Sequence, residues 1–235
     1  MPAETFQALV FWLPAFLFSA TVHEAAHAWA ALRLGDPTAW LHGHLSLSPW
    51  PHVRRAPLGM IVIPVVTALT QGWAVGWAVT PIDREWVDRH PRRAALVSLA
   101  GPLANLMLAG AAFAAMQAGL VLGAFEPATD PSMLHLVTNA MPPDALKAGD
   151  FLVTGLSAML SLNIVLFMFN LLPLPPLDGA AVFTLLLPAN AARRWRLAVA
   201  EPGVAFLGLI AAWQMFPLFA APVLVALVHA VAPLP

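Results

Sequence analysis

The sequence predicts an all-α multi-pass membrane protein with about four transmembrane helices, a re-entrant hairpin and short membrane-associated β-strands. Three observations carry this expectation. Of the 235 residues, 60% are hydrophobic and only 10% are charged, against about a quarter charged in an ordinary soluble domain. Several apolar runs reach the ~20 residues that a helix needs to cross a bilayer. Basic residues gather in some of the connections between those runs and leave the others, which is how cytoplasmic loops are marked. The net charge of -1 gives no footing for a nucleic-acid partner, and the chain has no cysteine. Disulfides and thiolate-held zinc are therefore excluded, and any metal must be held by nitrogen or oxygen.

The first span is predicted at residues 6–32. It reads as a mature helix and not a signal peptide, because Glu4 is the only charge before it and no small-residue cleavage site interrupts it. Further spans are predicted at 94–124 and 197–231. The apolar stretch 151–187 would measure roughly 55 Å as one helix, too long for a bilayer core. Pro173, Pro175 and Pro176 resolve this by breaking it near 173–178. Arg33, Arg54 and Arg55 follow the first span, Arg84, Arg89, Arg92 and Arg93 precede the second, and Arg193, Arg194 and Arg196 follow the broken one. These connections read as cytoplasmic. Glu126 to Asp150, with Lys147 as its one basic residue, reads as external, and so does the N-terminus.

Both flanks of residues 59–80 are basic, so this apolar segment should enter the membrane and return on the same side. Within it, Gly72 to Val79 repeats Gly-Trp-Ala-Val, which would put Trp73, Val75, Trp77 and Val79 on one face of a strand. The alternative is a helix packed through Gly72 and Gly76. Thr70, Gln71 and Pro81 frame the segment as a turn-bounded hairpin and favour the strand. A second strand is expected at Leu41 to Ser48, interfacial, with its polar residues outward.

The chemistry lies in His23-Glu24-Ala25-Ala26-His27. Histidines at i and i+4 share one helix face, so both imidazoles reach one zinc ion, and the glutamate beside them can act on water at the metal. Three ionisable residues in five positions of a span are costly unless they serve a common purpose. Catalytic zinc takes three protein ligands. Asp178, just after the helix-breaking prolines and before Gly179, is the candidate third ligand, at the same depth as the pair. Its alternative role is a helix N-cap. His42, His44 and His52 form a second histidine group, but no carboxylate accompanies them, which argues against a second metal.

These residues carry a likeness. The chain resembles the site-2 protease family of intramembrane zinc metalloproteases over nearly its whole length. His23 to His27 resembles the family's zinc motif, and Asn170 to Gly179 its Asn-x-x-Pro-x-Pro-x-x-Asp-Gly motif, which supplies the third ligand. Ala100 to Asn105 is similar to its Gly-Pro-x-x-Asn signature, and Gly43 to His52 and Gly76 to Pro81 resemble further family segments. Thr80-Pro81 stands where the family often has Lys-Pro, and Arg54 where an Asp is common soon after the position of His52. Neither departure touches a ligand. No PDZ-like or nucleotide-sensing domain is appended, so the chain reads as one metalloprotease domain, 1–235.

The resemblance implies one zinc ion held by His23, His27 and Asp178, and hydrolysis of peptide bonds in single-span membrane protein substrates within the lipid bilayer. Glu24 would take a proton from water and pass it to the leaving amine. Asn105 would donate to an oxyanion or position substrate, its alternative being an interhelical hydrogen bond; Asn170 and Asn163 are weaker candidates. Either predicted strand would pair with an unwound substrate by strand addition. The Ala-, Arg- and Trp-rich composition points to a bacterial inner membrane, with the active site nearer the cytoplasmic side. The competing readings are a metal transporter using the same three residues as a transit site, and a noncatalytic zinc-containing adaptor. Glu24 separates them, since only a protease needs it for turnover.

Overall fold

The structure is a computed structural model that describes residues 8–140 and 146–231, so the predicted start of the first span at residue 6 lies outside the described residues. Among the described residues, three helices are long and apolar enough to cross a membrane, Leu9–Leu34, Pro91–Val121 and Gly149–Asn170, with a bent pair from Ala189 to Met215 as a fourth if it forms one span. We label α1 as Leu13–Leu34, which continues a π-helical turn at Ala8–Trp12, α2 as Thr38–Leu41 and α3 as Trp50–Arg55. The next elements are α4, Ile63–Gln71, α5, Arg84–Arg89, and α6, Pro91–Val121. An antiparallel pair, β1 (Phe125–Ser132) and β2 (His135–Asn139), leads to α7, Leu146–Asn170. The chain ends with α8 (Asp178–Val182), α9 (Ala189–Val199) and α10 (Pro202–Val231).

The core is a three-helix sandwich in which α6 lies between α1 and α7. Small buried residues allow this approach: Ala15, Ser19, Ala20, Ala28 and Ala31 on α1, and Gly101, Ala109 and Ala112 on α6. In lipid the hydrophobic effect does not hold helices together, so close backbone packing must do so. The outer surface carries bare apolar side chains such as Met107, Val121, Phe206 and Leu207, as expected where the solvent is hydrocarbon.

The predicted break in 151–187 falls slightly early. The helix stops at Asn170, because Leu172 precedes Pro173 and is pushed out of the α region. The chain then turns and restarts helix at Asp178. That turn is tight: a Cβ on Gly179 would sit 2.3 Å from the Leu172 carbonyl oxygen. The predicted fourth span at 197–231 is corrected at its start. α9, which carries Arg193, Arg194 and Arg196, is a separate amphipathic helix, and the chain bends by 91° before Pro202. From there α10 comes down onto the turn, where a Cβ on Gly208 would meet the Pro175 carbonyl oxygen at 2.1 Å.

The segment 59–80 goes in as helix and comes back extended. A π-helical turn at Leu58–Val62 and α4 make the first arm, and Gly72 turns the chain at φ 79°. The Trp73 to Thr80 stretch is not helical, so Gly72 and Gly76 are not a helix-packing pair. It also has no ladder partner among the described residues. It is fastened at single points, by Trp77 N–H to the Gly59 carbonyl at 3.1 Å and by Val75 N–H to the Thr67 hydroxyl at 2.9 Å. A Cβ on Gly76 would lie 2.1 Å from the Gly59 oxygen, which explains both glycines as a backbone-to-backbone contact.

Leu41 to Ser48 is not a strand, and its exposure does not follow the expected polarity: His42 and Ser48 are exposed, but so are the leucines. Leu41, Leu45 and Leu47 are exposed, while His44 and His52 are buried. His44 and His52 pack edge to face, with ring centroids 4.8 Å apart. Burial, with the neighbouring His52, Arg55 and His42, pushes His44 down to about 4, so it stays neutral at ordinary pH. Asp36, wholly buried, ties this connection together by accepting from the Thr38 and Asp83 backbone N–H groups at 2.9 and 3.0 Å.

Candidate metal centre

His23 and His27 sit one turn apart on the buried face of α1, and Asp178 enters from the first turn of α8. Leu177 occupies the N-cap position of α8, and Asp178 makes no capping bond there; its carboxylate turns to the histidines. His23 Nε2 lies 2.9 Å from His27 Nε2 and 3.1 Å from Asp178 Oδ2, and His27 Nε2 lies 3.3 Å from the same oxygen. Ligands on a tetrahedral zinc with ~2.0 Å bonds stand roughly 3.3 Å apart. Among the described residues, this is the one group of three or more His, Asp or Glu whose donor atoms converge in this way. His42, His44 and His52 form no such group.

The remaining ring nitrogens show what these atoms are for. His27 Nδ1 donates to the Val97 carbonyl at 2.8 Å, and His23 Nδ1 donates to Asn105 Oδ1 at 2.6 Å. Both partners can only accept, so both rings carry their proton on Nδ1 and present a bare lone pair at Nε2. Two such lone pairs and a carboxylate oxygen then face one another within 3.3 Å. A cation makes that convergence favourable, and the donor set suits zinc.

α6 shapes the opposite side. A Cβ on Gly101 would stand 2.4 Å from His27 Nε2 and 2.5 Å from His23 Nε2, so only glycine leaves room there. The adjoining Pro102 has no N–H for the Ser98 carbonyl, which loosens the same turn.

Glu24 is 6% exposed and accepts a hydrogen bond on its carboxylate from the Thr80 hydroxyl. A cavity of about 810 Å³ opens beside these groups. His23, Glu24, His27 and Asp178 all line it, and its walls are the returning stretch 73–80, α7 and α10. Trp73 and Trp213 stack across it with ring centroids 6.5 Å apart.

Asn105 does not reach this cavity. It is wholly buried, with its carbonyl taken by His23 and its amide donating to Asn163 Oδ1 at 2.8 Å. Both amide atoms of Asn105 are therefore engaged between α1, α6 and α7. Of the three asparagines, Asn170 lines the cavity. Thr80, Gly101 and Asn163 are the residues near the site that sequence reasoning missed or undervalued. Gly101 had a signal, since glycine before proline in a span marks close backbone approach. Thr80 had only its departure from the Lys-Pro common in the family, which does not point to Glu24, 56 residues away.

A family model described as peptidase family M50 matches residues 11–212. Among known proteins, the chain is 34% identical over 198 residues to the "Putative zinc metalloprotease YwhC" of Bacillus subtilis, covering 82% of this chain and 76% of that one. It is 29% identical over 164 residues to the "Putative zinc metalloprotease Rip2" of Mycolicibacterium smegmatis (70% and 52% of the two chains). The protein of that name from Mycobacterium tuberculosis is 31% identical over 166 residues, covering 71% and 53%. The match thus spans about half the length of the two mycobacterial relatives. No solved structure matches the chain.

Proposed function

The chain belongs to peptidase family M50, the site-2 protease family, and on that premise we propose that His23, His27 and Asp178 hold its zinc ion and that Glu24 is its general base. The protein is an intramembrane zinc metalloendopeptidase, and site-2 proteases act on membrane-embedded substrates. Single-span membrane proteins are the substrate class we assign, with residues 1–235 serving as one metalloprotease domain. The convergence of three lone pairs on one point supports the ligand assignment. Arg33 ends α1 about two turns beyond His27, which supports a site nearer the cytoplasmic side, and the bacterial relatives support a bacterial inner membrane.

When bound, the zinc ion acidifies water toward a pKa of about 7 and polarises a carbonyl. Glu24 accepts the water's proton and delivers it to the leaving amine. Thr80 holds the Glu24 carboxylate, and Asn105 holds the His23 ring instead of touching substrate. Asn170, on the cavity wall, is placed to orient the scissile segment.

A helical substrate must unwind before its peptide bonds are exposed. The extended stretch Trp73 to Thr80 borders the cavity, and the Ala78 N–H has no hydrogen-bond partner among the described residues. We assign it the role of pairing with the unwound substrate by strand addition. Ala78→Pro is expected to slow cleavage about tenfold, the upper range for one hydrogen bond, with zinc content unchanged. Wild-type rates in that variant would end the strand-addition reading.

The function is tested by reconstituting the purified chain in liposomes with a single-span substrate. One zinc per chain, cleavage stopped by a chelator and restored by zinc, is the expected result. Cleavage that continues in protein verified as zinc-free would overturn it.

A further inference from the structure

Resting on the assignment of His23 as a zinc ligand, we propose that Asn163 is a positioning residue for the metal site: acting through Asn105, it fixes the tautomer and orientation of the His23 ring that leave Nε2 free to bind zinc. The relay starts at a backbone carbonyl. The Asn163 side-chain nitrogen lies 2.8 Å from the Met159 carbonyl oxygen. A carbonyl only accepts, so the amide nitrogen must face it, and the orientation of Asn163 is settled. Its Oδ1 then points at Asn105, 2.8 Å away. That oxygen also only accepts, so Asn105 must present its own nitrogen. The Asn105 oxygen is left facing His23 Nδ1 at 2.6 Å, and His23 must carry its proton there. Each amide passes on the polarity it receives.

The relay joins three spans: Asn163 on α7, Asn105 on α6 and His23 on α1. Asn105 and Asn163 are both 0% exposed and His23 is 7% exposed, so water does not substitute for a lost link. Ser19 accepts the second Asn163 N–H at 2.9 Å. A hydroxyl can turn to donate or accept, so Ser19 satisfies Asn163 without setting its direction. Without Asn163, the Asn105 amide is free to reverse and offer its NH2 to the ring. His23 would then accept at Nδ1 and carry its proton on Nε2, at the position zinc needs. His27 reaches the same end in one step, through the Val97 carbonyl.

The test measures zinc affinity of the full chain in detergent, by chelator competition, for wild type, Asn163→Leu, Ser19→Ala, Asn105→Ala and the Asn105→Ala/Asn163→Leu pair. Asn163→Leu is expected to weaken zinc binding about 10–100-fold, as loss of an outer partner of a metal ligand does. Ser19→Ala should stay within about threefold of wild type, since a neutral hydrogen bond to a rotatable hydroxyl is a modest net term. The double variant should match Asn105→Ala alone within about twofold, because the two residues act in series. Wild-type affinity in Asn163→Leu overturns the relay, as do losses that multiply in the double variant or a Ser19→Ala loss as large as that of Asn163→Leu. If Asn163→Leu does not fold, Asn163→Ser, too short to span Met159 and Asn105, takes its place. A wild-type chain that binds no zinc would instead sink the ligand assignment, and the relay with it.

Discussion

Replacing Glu24 with glutamine is expected to slow peptide cleavage about 10²–10⁴-fold, the usual worth of a positioned general base, while one zinc per chain remains bound. The two effects separate because Glu24 lies beside the convergence of His23, His27 and Asp178 and is not part of it. Glutamine keeps the shape of the side chain, and its carbonyl still accepts from the Thr80 hydroxyl. It cannot take a proton from water. Thr80→Val should fall between wild type and Glu24→Gln, with Thr80→Ser restoring the rate, because the hydroxyl holds the base without being one. Single-turnover cleavage and zinc content, measured on the same preparations, check this. A Glu24→Gln protein that cleaves at the wild-type rate would remove Glu24 from the chemistry, and the transporter reading would regain its standing.

The parts of this molecule that were legible in its sequence are those written in short range. The i, i+4 histidines need only one helix, and α1 provides it. The spans follow from apolar length, and the break before Asp178 from proline sterics. What could not be read depends on the chain folding back on itself. β1 carries Pro127 and Pro131, residues that normally argue against a strand, yet it pairs with β2 because a short turn brings them together. Leu41 to Ser48 alternates like a half-buried strand, but the alternation does not say which side is solvent. Here Leu41, His42, Leu45, Leu47 and Ser48 are all exposed, and of the alternating residues only His44 is buried. Asn105 shows the same limit more sharply. Its position in a Gly-Pro-x-x-Asn segment marks it in the sequence, but its contacts with His23 and Asn163 join three different spans and are not legible there. Thr80 replaces a lysine common in the family, and its short reach still meets Glu24 because the returning stretch 73–80 runs directly over α1.

Gly101→Ala is expected to disable the metal centre although no ligand is changed. The added methyl carbon would stand 2.4 Å from His27 Nε2 and 2.5 Å from His23 Nε2, distances that real Cβ contacts do not adopt. The rings cannot swing aside without losing the Nδ1 bonds to Val97 and Asn105. α6 cannot withdraw without opening its small-residue contact with α1. Overpacking of this kind costs about 1–3 kcal/mol, and here the strain falls on the atoms that bind metal, so zinc affinity should drop about 10–100-fold. Alanine is also the better helix former by up to ~1 kcal/mol, so the fold itself need not suffer. Gly110→Ala is the internal control: it lies on the same helix with nothing within 4 Å of its added Cβ, and should leave zinc binding and cleavage unchanged. Both variants are compared by zinc titration and thermal melting. Loss of zinc in Gly101→Ala, with a melt close to that of the zinc-free wild type, would place the methyl in the metal's position. Zinc bound at wild-type affinity in Gly101→Ala would mean that α6 does not approach the histidine pair this closely.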